Sequence, residues 1–421
     1  MIQRIDTFDP TIVEKVLSSQ IREHLETRFL LTDFQFGFRT RRSTTDAISK
    51  IMEQLYNHLN SSTITQGVFL DFSKAFDTIN HQLLIQKLKF YYFSTSAQCL
   101  IASYLENRSQ YVCVGRKTSD SMSIKIGVPQ GSVLGPLLFL IFINDLLNSA
   151  PDLSYILFAD DTNIFSTNPD AIKNNLEKVN DWCITNRLVI NYEKTHQVLF
   201  KAKRKKYREE NYILYMGRSL LEHKTETKFL GITIDETITF KAHLKSLTKK
   251  LGLYLIMLRA ARPYLDNKTM IDLYYTFFYP HLIYGIEFWG HSAKTNLKPV
   301  CNLQKAALRI LVGTKSGKPV SSHFKRLKIM PIKMLFEYRL LKLLFRTYTE
   351  KYILEQVSNH GYNTRNKNTL RPRKSNNKWG ERSLLSRGIT LYNRYLLGTR
   401  AGSGTGPVEG LADYLWARVG R

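Results

Sequence analysis

The chain has 421 residues, of which 61 are Lys or Arg against 35 Asp or Glu, a formal net charge of +26. A hydrophobic content of 43% supports substantial cores and excludes a disordered basic tail. An excess of this size favours a polyanionic partner, nucleic acid first. The four cysteines, Cys99, Cys113, Cys183 and Cys301, are too scattered for a zinc spacing or a disulfide framework, which points to a reducing compartment. The N-terminus has no signal-like apolar core, and the longest apolar run, Leu134 to Leu147, is too short to span a bilayer and contains Asn144 and Asp145. A soluble, non-membrane chain, cytoplasmic with nuclear access, is therefore expected.

In chain order, residues 10 to 60 read as helices. Ile12, Val13, Val16, Leu17 and Ile21 recur at helical spacing, and Thr44-Thr45-Asp46 opens a second helix. Strands and helices alternate from Gln66 to about Lys241. The run Gly67-Val68-Phe69-Leu70 is closed by Asp71, and Leu83 to Leu105 is mostly helical. Tyr111-Val112-Cys113-Val114 is expected to pair with Ser123-Ile124-Lys125-Ile126. A Gly/Pro-punctuated stretch from Gly127 to Pro136 leads into the apolar helix-like run Leu137 to Leu147. Two β-rich runs, Tyr155 to Leu157 and Thr162 to Phe165, then flank the turn Phe158-Ala159-Asp160-Asp161.

Helical periodicity dominates from His243 to Val312, a region rich in Lys249, Lys250, Arg259, Arg262, Tyr274, Tyr275 and Trp289. Packing in a helix-bundle core is the expected task of its aromatics, ahead of base stacking. Residues 320 to 397 continue helical and basic. From Gly398 the composition shifts to Gly402, Gly404, Gly406 and Gly410 with no lysine, which reads as a flexible tail. Two basic blocks stand out, Lys201, Lys203, Arg204, Lys205, Lys206 and Arg208, and Arg371, Arg373, Lys374 and Lys378. Each fits a solvated loop as well as a phosphate contact.

The chemistry concentrates in three acids. A hairpin with Asp160 and Asp161 at its tip, beside a strand ending in Asp71, gathers negative charge that bound cations would make tolerable. Magnesium suits such hard oxygen donors, and two ions about 4 Å apart would serve nucleotidyl transfer.

Leu70-Asp71-Phe72-Ser73-Lys74-Ala75-Phe76-Asp77, then the stretch from Gly127 to Asp145, then Phe158-Ala159-Asp160-Asp161-Thr162, resemble the successive palm motifs of a reverse transcriptase. The nearest family is the jockey-like branch of non-LTR (LINE-type) retrotransposons. Further similarity lies in Gln35-Phe36-Gly37-Phe38-Arg39 with Ser43-Thr44-Thr45, in Asn191-Tyr192-Glu193-Lys194-Thr195 and in Phe229-Leu230-Gly231. The resemblance implies an α+β right-hand polymerase. Its parts would be partial fingers over residues 1–65, a palm with an antiparallel sheet over 66–241 and a helical thumb over 242–319. A helical C-terminal extension would follow over 320–397, then the Gly-rich tail over 398–421.

It also implies roles. Asp71 and Asp160 would be the primary ligands of two Mg²⁺ ions, for which Mn²⁺ could substitute, with Asp161 in support. Lys194 would be a catalytic residue that protonates the departing pyrophosphate or neutralises its charge. Phe72, Phe76 and Gln130 would meet the incoming dNTP, with Phe76 clashing against a 2′-hydroxyl. Arg39, Pro129, Gly131, Phe229, Leu230 and Gly231 would contact an RNA template and a DNA or RNA primer. A fingers segment with a Tyr-Arg-Pro-Ile-like run, usual before the part matching Gln35 to Arg39, is missing, so an N-terminally truncated copy is expected. The readings set against active RNA-directed DNA synthesis are an inactive palm-derived nucleic-acid-binding protein, an intron-type reverse transcriptase and a viral RNA-dependent RNA polymerase.

Overall fold

The computed structural model describes residues 10–203, 205–314, 319–347, 375 and 377–399. Most of the second basic block and the Gly-rich tail beyond Thr399 lie outside them. The chain divides into two compact units. Unit 1 comprises residues 1–50, 64–199 and 204–224; unit 2 comprises 51–63, 200–203 and 225–421. Unit 2 thus takes in the Phe229-Leu230-Gly231 segment that the sequence reading grouped with the residues before 241.

Unit 1 opens with helix α1 (Pro10–Thr27) and the first part of α2 (Thr44–Asn60). Strand β1 (Thr65–Leu70) follows, all six residues buried, as a strand covered on both faces must be. Asn80 caps α3 (His81–Phe90) by accepting from the Leu83 N–H at 3.0 Å, and Ser94 caps α4 (Thr95–Leu105). Four two-residue strands come next, β2 (Ser109–Gln110), β3 (Cys113–Val114), β4 (Lys117–Thr118) and β5 (Met122–Ser123). Their pairing corrects the sequence expectation: β3 pairs with β4, and β2 with β5. Gly115, at φ 63, turns the chain back immediately after Val114, so the partner of β3 lies four residues on rather than ten.

Pro136 begins α5 (Gly135–Ile143), whose residues Leu137 to Ile143 are all buried, which marks a helix enclosed by the core rather than one with a wet face. The hairpin of β6 (Ser154–Phe158) and β7 (Asp161–Ser166) follows, then α6 (Pro169–Thr185) and β8 (His196–Phe200). β9 (Tyr215–Met216) pairs with β10 (Ser219–Leu220), and β11 (Glu222–His223) joins β8 in parallel. The main sheet runs β11-β8-β1-β7-β6, with β7 antiparallel to both of its neighbours, β1 and β6. Its core gathers Val68, Leu70, Phe139, Phe142 and Ile164 with Ile172 and Leu176 of α6.

Unit 2 contains the hairpin of β12 (Glu226–Phe229) and β13 (Ile232–Asp235), then α7 (Lys241–Ala261). The Asp235 carboxylate accepts from the Thr237, Thr239 and Phe240 N–H groups and so holds the bend into α7. Helices α8 (Asn267–Leu273), α9 (Tyr279–Ile283), α10 (Ile286–Trp289) and α11 (Lys294–Val312) follow, with a π-helical turn at Tyr274–Phe278. Tyr274 and Trp289 are fully buried, so these aromatics are core, as the sequence suggested. Further helices span Ser321–Arg326, Ile332–Thr347 and Leu384–Thr399. Among the described residues, no helix is long and apolar enough to cross a membrane.

Candidate active site

Strand register brings the three acids together. β1 and β7 align Leu70 with Thr162, and β6 and β7 align Phe158 with Asp161. One further step along the first ladder brings Asp71 level with Asp161, beside Asp160 in the turn. The loop between β6 and β7 is only Ala159-Asp160, and Ala159 closes it at φ 56, a left-handed conformation that non-glycine residues rarely take. Asp71 is fixed through its backbone: its N–H donates to Thr195 Oγ1 at 3.2 Å and its carbonyl accepts from the Asn191 N–H at 2.8 Å. The Asn191 to Thr195 segment therefore supports the first acid structurally, a task its sequence did not announce.

The carboxylates feel one another. Burial raises the Asp160 carboxyl above its ordinary range; a hydrogen bond from its own backbone N–H opposes the shift, and the Asp71 charge adds to it. Asp161 keeps an exposed surface, yet loss of surrounding water, followed by repulsion from Asp160 and Asp71, pushes it up to about 6. A cation would relieve these repulsions, so the donors fit a hard divalent metal. Among the described residues no three acid, imidazole or thiolate side chains close into a cage that could hold an ion alone. The fit is to an open site, whose coordination water and phosphate oxygens would complete.

Lys194 lies with Nζ 3.9 Å from Asp71 Oδ2, both groups exposed, an ion pair worth little to stability. Phe76 is half-buried, stacked on Phe139 at 4.6 Å and edge-on to Phe38 at 6.4 Å. Phe72 is 6% exposed and its side chain belongs to the core. Arg39 is likewise committed within the chain. Its guanidinium binds both Glu26 carboxylate oxygens and the Thr32 carbonyl, and that hydrogen bonding holds Glu26 below the usual carboxylate range.

The Gly127 to Gly131 loop is tied to the tail of the first motif. The Gly127 N–H donates to Ile79 O and the Val128 N–H to Phe76 O, at 2.7 and 2.8 Å. Gln130 Nε2 donates to Asp77 Oδ1 at 2.7 Å. Asp77, to which the sequence assigned no role, thus orients the glutamine. Around them lies a cavity of about 640 Å³ lined by Lys74, Arg108, Lys125, Pro129 and Gln130 among others. Gly131, exposed at φ 84 with open space where a side chain would stand, leaves that rim clear.

In unit 2, Phe229 is buried, and Leu230 and Gly231 form a two-residue turn at φ 44 and 81, both left-handed as in a type I′ hairpin. Tyr284 Oη donates to the Leu230 carbonyl at 2.6 Å.

Residues 3–234 match the family model described as reverse transcriptase (RNA-dependent DNA polymerase). The chain belongs to this family. Among curated relatives of the reverse transcriptase chain is a probable RNA-directed DNA polymerase from transposon BS of Drosophila melanogaster. The two are 30% identical over 317 residues, covering 71% of this chain and 34% of the relative. An RNA-directed DNA polymerase from mobile element jockey of the same organism is 27% identical over 333 residues, covering 73% and 36%. The resemblance to jockey-like non-LTR retrotransposons is upheld, and the chain spans about a third of the length of these relatives. Apo telomerase from Candida tropicalis is a distant structural neighbour, with a TM-score of 0.44 at 12% identity, covering 96% of this chain and 61% of that one. Family membership brings the right-hand polymerase fold class, here in α+β form, and dependence on divalent metal in general.

Proposed function

We propose that the chain performs RNA-directed DNA synthesis, transferring a nucleotidyl group from a dNTP to a primer 3′-hydroxyl on an RNA template, with Mg²⁺ as the metal. The observation that carries this reading is the gathering of Asp71, Asp160 and Asp161 at the ends of adjacent strands. When bound, two metal ions would activate the attacking hydroxyl and stabilise the leaving pyrophosphate.

Asp71 and Asp160 would hold the metal ions, with Asp161 in support. The exposed Lys194 ammonium can swing from Asp71 to the pyrophosphate and donate a proton there. Phe76, braced by Phe139, would exclude a 2′-hydroxyl, and Gln130, steadied by Asp77, would reach the nascent pair. Phe72 contributes through packing. Lys74, Arg108 and Lys125 supply positive charge for the substrate or template beside Pro129 and Gly131. The Phe229-Leu230-Gly231 hairpin would grip the primer. Unit 1 then corresponds to palm and partial fingers, and the helices of unit 2 to the thumb.

Incorporation of labelled dTTP on poly(rA)/oligo(dT) with Mg²⁺ tests this. Activity that disappears in Asp160→Ala supports it. Silence in the unvaried chain with duplex binding retained would favour a binding-only protein.

A further inference from the structure

We propose that Gln35 is a positioning residue for the turn that carries Asp160, acting as a side-chain clamp on the backbone of Ala159. The inference rests on the polymerase reading of that turn.

Gln35 is 2% exposed. Its Oε1 accepts from the Ala159 N–H at 3.0 Å and from the Gly37 N–H at 2.9 Å, and its Nε2 donates to the Ala159 carbonyl at 3.3 Å. One carboxamide therefore engages both main-chain polar groups of the residue that closes the turn. The backbone around it does the same for β6: the Phe36 N–H donates to Leu157 O at 2.8 Å and the Leu157 N–H to Phe34 O at 2.9 Å, with Gln35 and Leu157 in a parallel bridge. Residues 34–37 thus extend the sheet edge as far as Leu157, and the amide side chain carries the pairing on to Ala159, where the ladder of β6 ends.

Such support is needed because the left-handed conformation crowds the Cβ of an L-alanine against its own backbone. It persists where surrounding contacts over-determine it. If Ala159 relaxed, Asp160 would swing away from Asp71. Gly37 is part of the device, since a Cβ there would stand 2.3 Å from the Ala159 nitrogen. The sequence run Gln35-Phe36-Gly37 is explained by this approach: the amide reaches the turn, and the glycine lets the two backbones touch.

The test compares the unvaried chain with Gln35→Met, which loses all three hydrogen bonds, and Gln35→Glu, which keeps the acceptors and loses the donor. For the Met variant, kcat for dTTP incorporation should fall about a hundredfold, the cost of a misplacement near 1 Å. KM for dTTP and affinity for primer-template should stay within about twofold. Amide exchange should accelerate in peptides covering residues 156–162 and at Gly37, whose N–H loses the same acceptor, and nowhere else, and the Glu variant should fall between. A kcat within about twofold of the unvaried chain, with unchanged exchange at 156–162, would overturn the proposal. So would exchange that rises throughout unit 1 in both variants, which would make Gln35 a general packing residue. An unvaried chain that incorporates nothing counts against the polymerase reading, and the exchange measurements still decide the clamp.

Discussion

Two hairpins with two-residue loops, one in each unit, solve the same geometric problem differently. The β12–β13 turn places Leu230 and Gly231 at positive φ, using glycine at one position and a hydrogen bond from Tyr284, 54 residues later, to hold the Leu230 carbonyl. The β6–β7 turn has no glycine: Ala159 takes the left-handed position, Asp160 the next, and the backbone is held by Gln35 from 124 residues away. Glycine provides a turn at little steric cost but carries no functional group. In the β6–β7 turn the left-handed position falls on an alanine beside the acids, and the conformation is held from outside the hairpin.

The comparison is most sharply tested by removing the charge that β1 places beside the acid tip. Asp71→Ala should lower incorporation about a thousandfold or more while leaving metal-free thermal stability equal or higher, because repulsion is relieved. A variant that retains synthesis would show that the acid tip is no more functional than the glycine one. Next in size, Phe76→Val beside the acid tip should cut discrimination of dTTP against UTP by about tenfold or more in a competition assay, whereas nothing at the Leu230 turn should alter sugar choice.

At the second tip the effects should be on stability. Gly231→Ala, strained at φ 81 and set 3.2 Å from the Tyr284 ring, should cost about 1–2 kcal/mol, and Tyr284→Phe about 1 kcal/mol, both read by denaturant titration.

Acid should move the two units in opposite senses by smaller amounts. The Asp161 carboxyl is raised from 3.8 to about 6, so between those values the folded chain binds a proton the unfolded chain does not, and acidification without metal is stabilising. Burial lowers His243 in unit 2 from 6.5 to about 4, so the unfolded chain binds the extra proton in that window and acidification is destabilising. Melting temperatures between pH 7 and 4 in a chelator should therefore fall more steeply for Asp161→Asn and less steeply for His243→Gln than for the unvaried chain. Parallel slopes for all three would mean that neither group couples to folding.

Much of the first hairpin could be read from the sequence because its signals are local. Two short β-rich runs define β6 and β7, and two acids between them define the tip. Asp71 was legible for the same reason, at the end of an apolar strand. What escaped depends on partners distant in sequence. Gln35 looked like one letter of a motif because Ala159 is 124 residues away, and Asp77 acquired a task only once the loop carrying Gln130 folded back on it. The Arg39 guanidinium has a partner its motif does not show, Glu26 on α1. Phe72 shares a motif with Phe76, yet Phe72 is buried where it bridges to Ile190, while Phe76 lies in the turn that follows and stays half-exposed. The mispaired short strands failed at a single residue, since a left-handed Gly115 reverses the chain sooner than a longer pairing allows.

The long reach of Gln35 also separates two kinds of damage to a gene of this type. A copy shortened to begin after residue 37 would still encode Asp71, Asp160 and Asp161 and would pass any inspection of its acidic motifs. It would nevertheless have lost the amide that holds Ala159 in its left-handed turn. Decay of such a copy would be written first in geometry and only later in the letters of the acidic motifs.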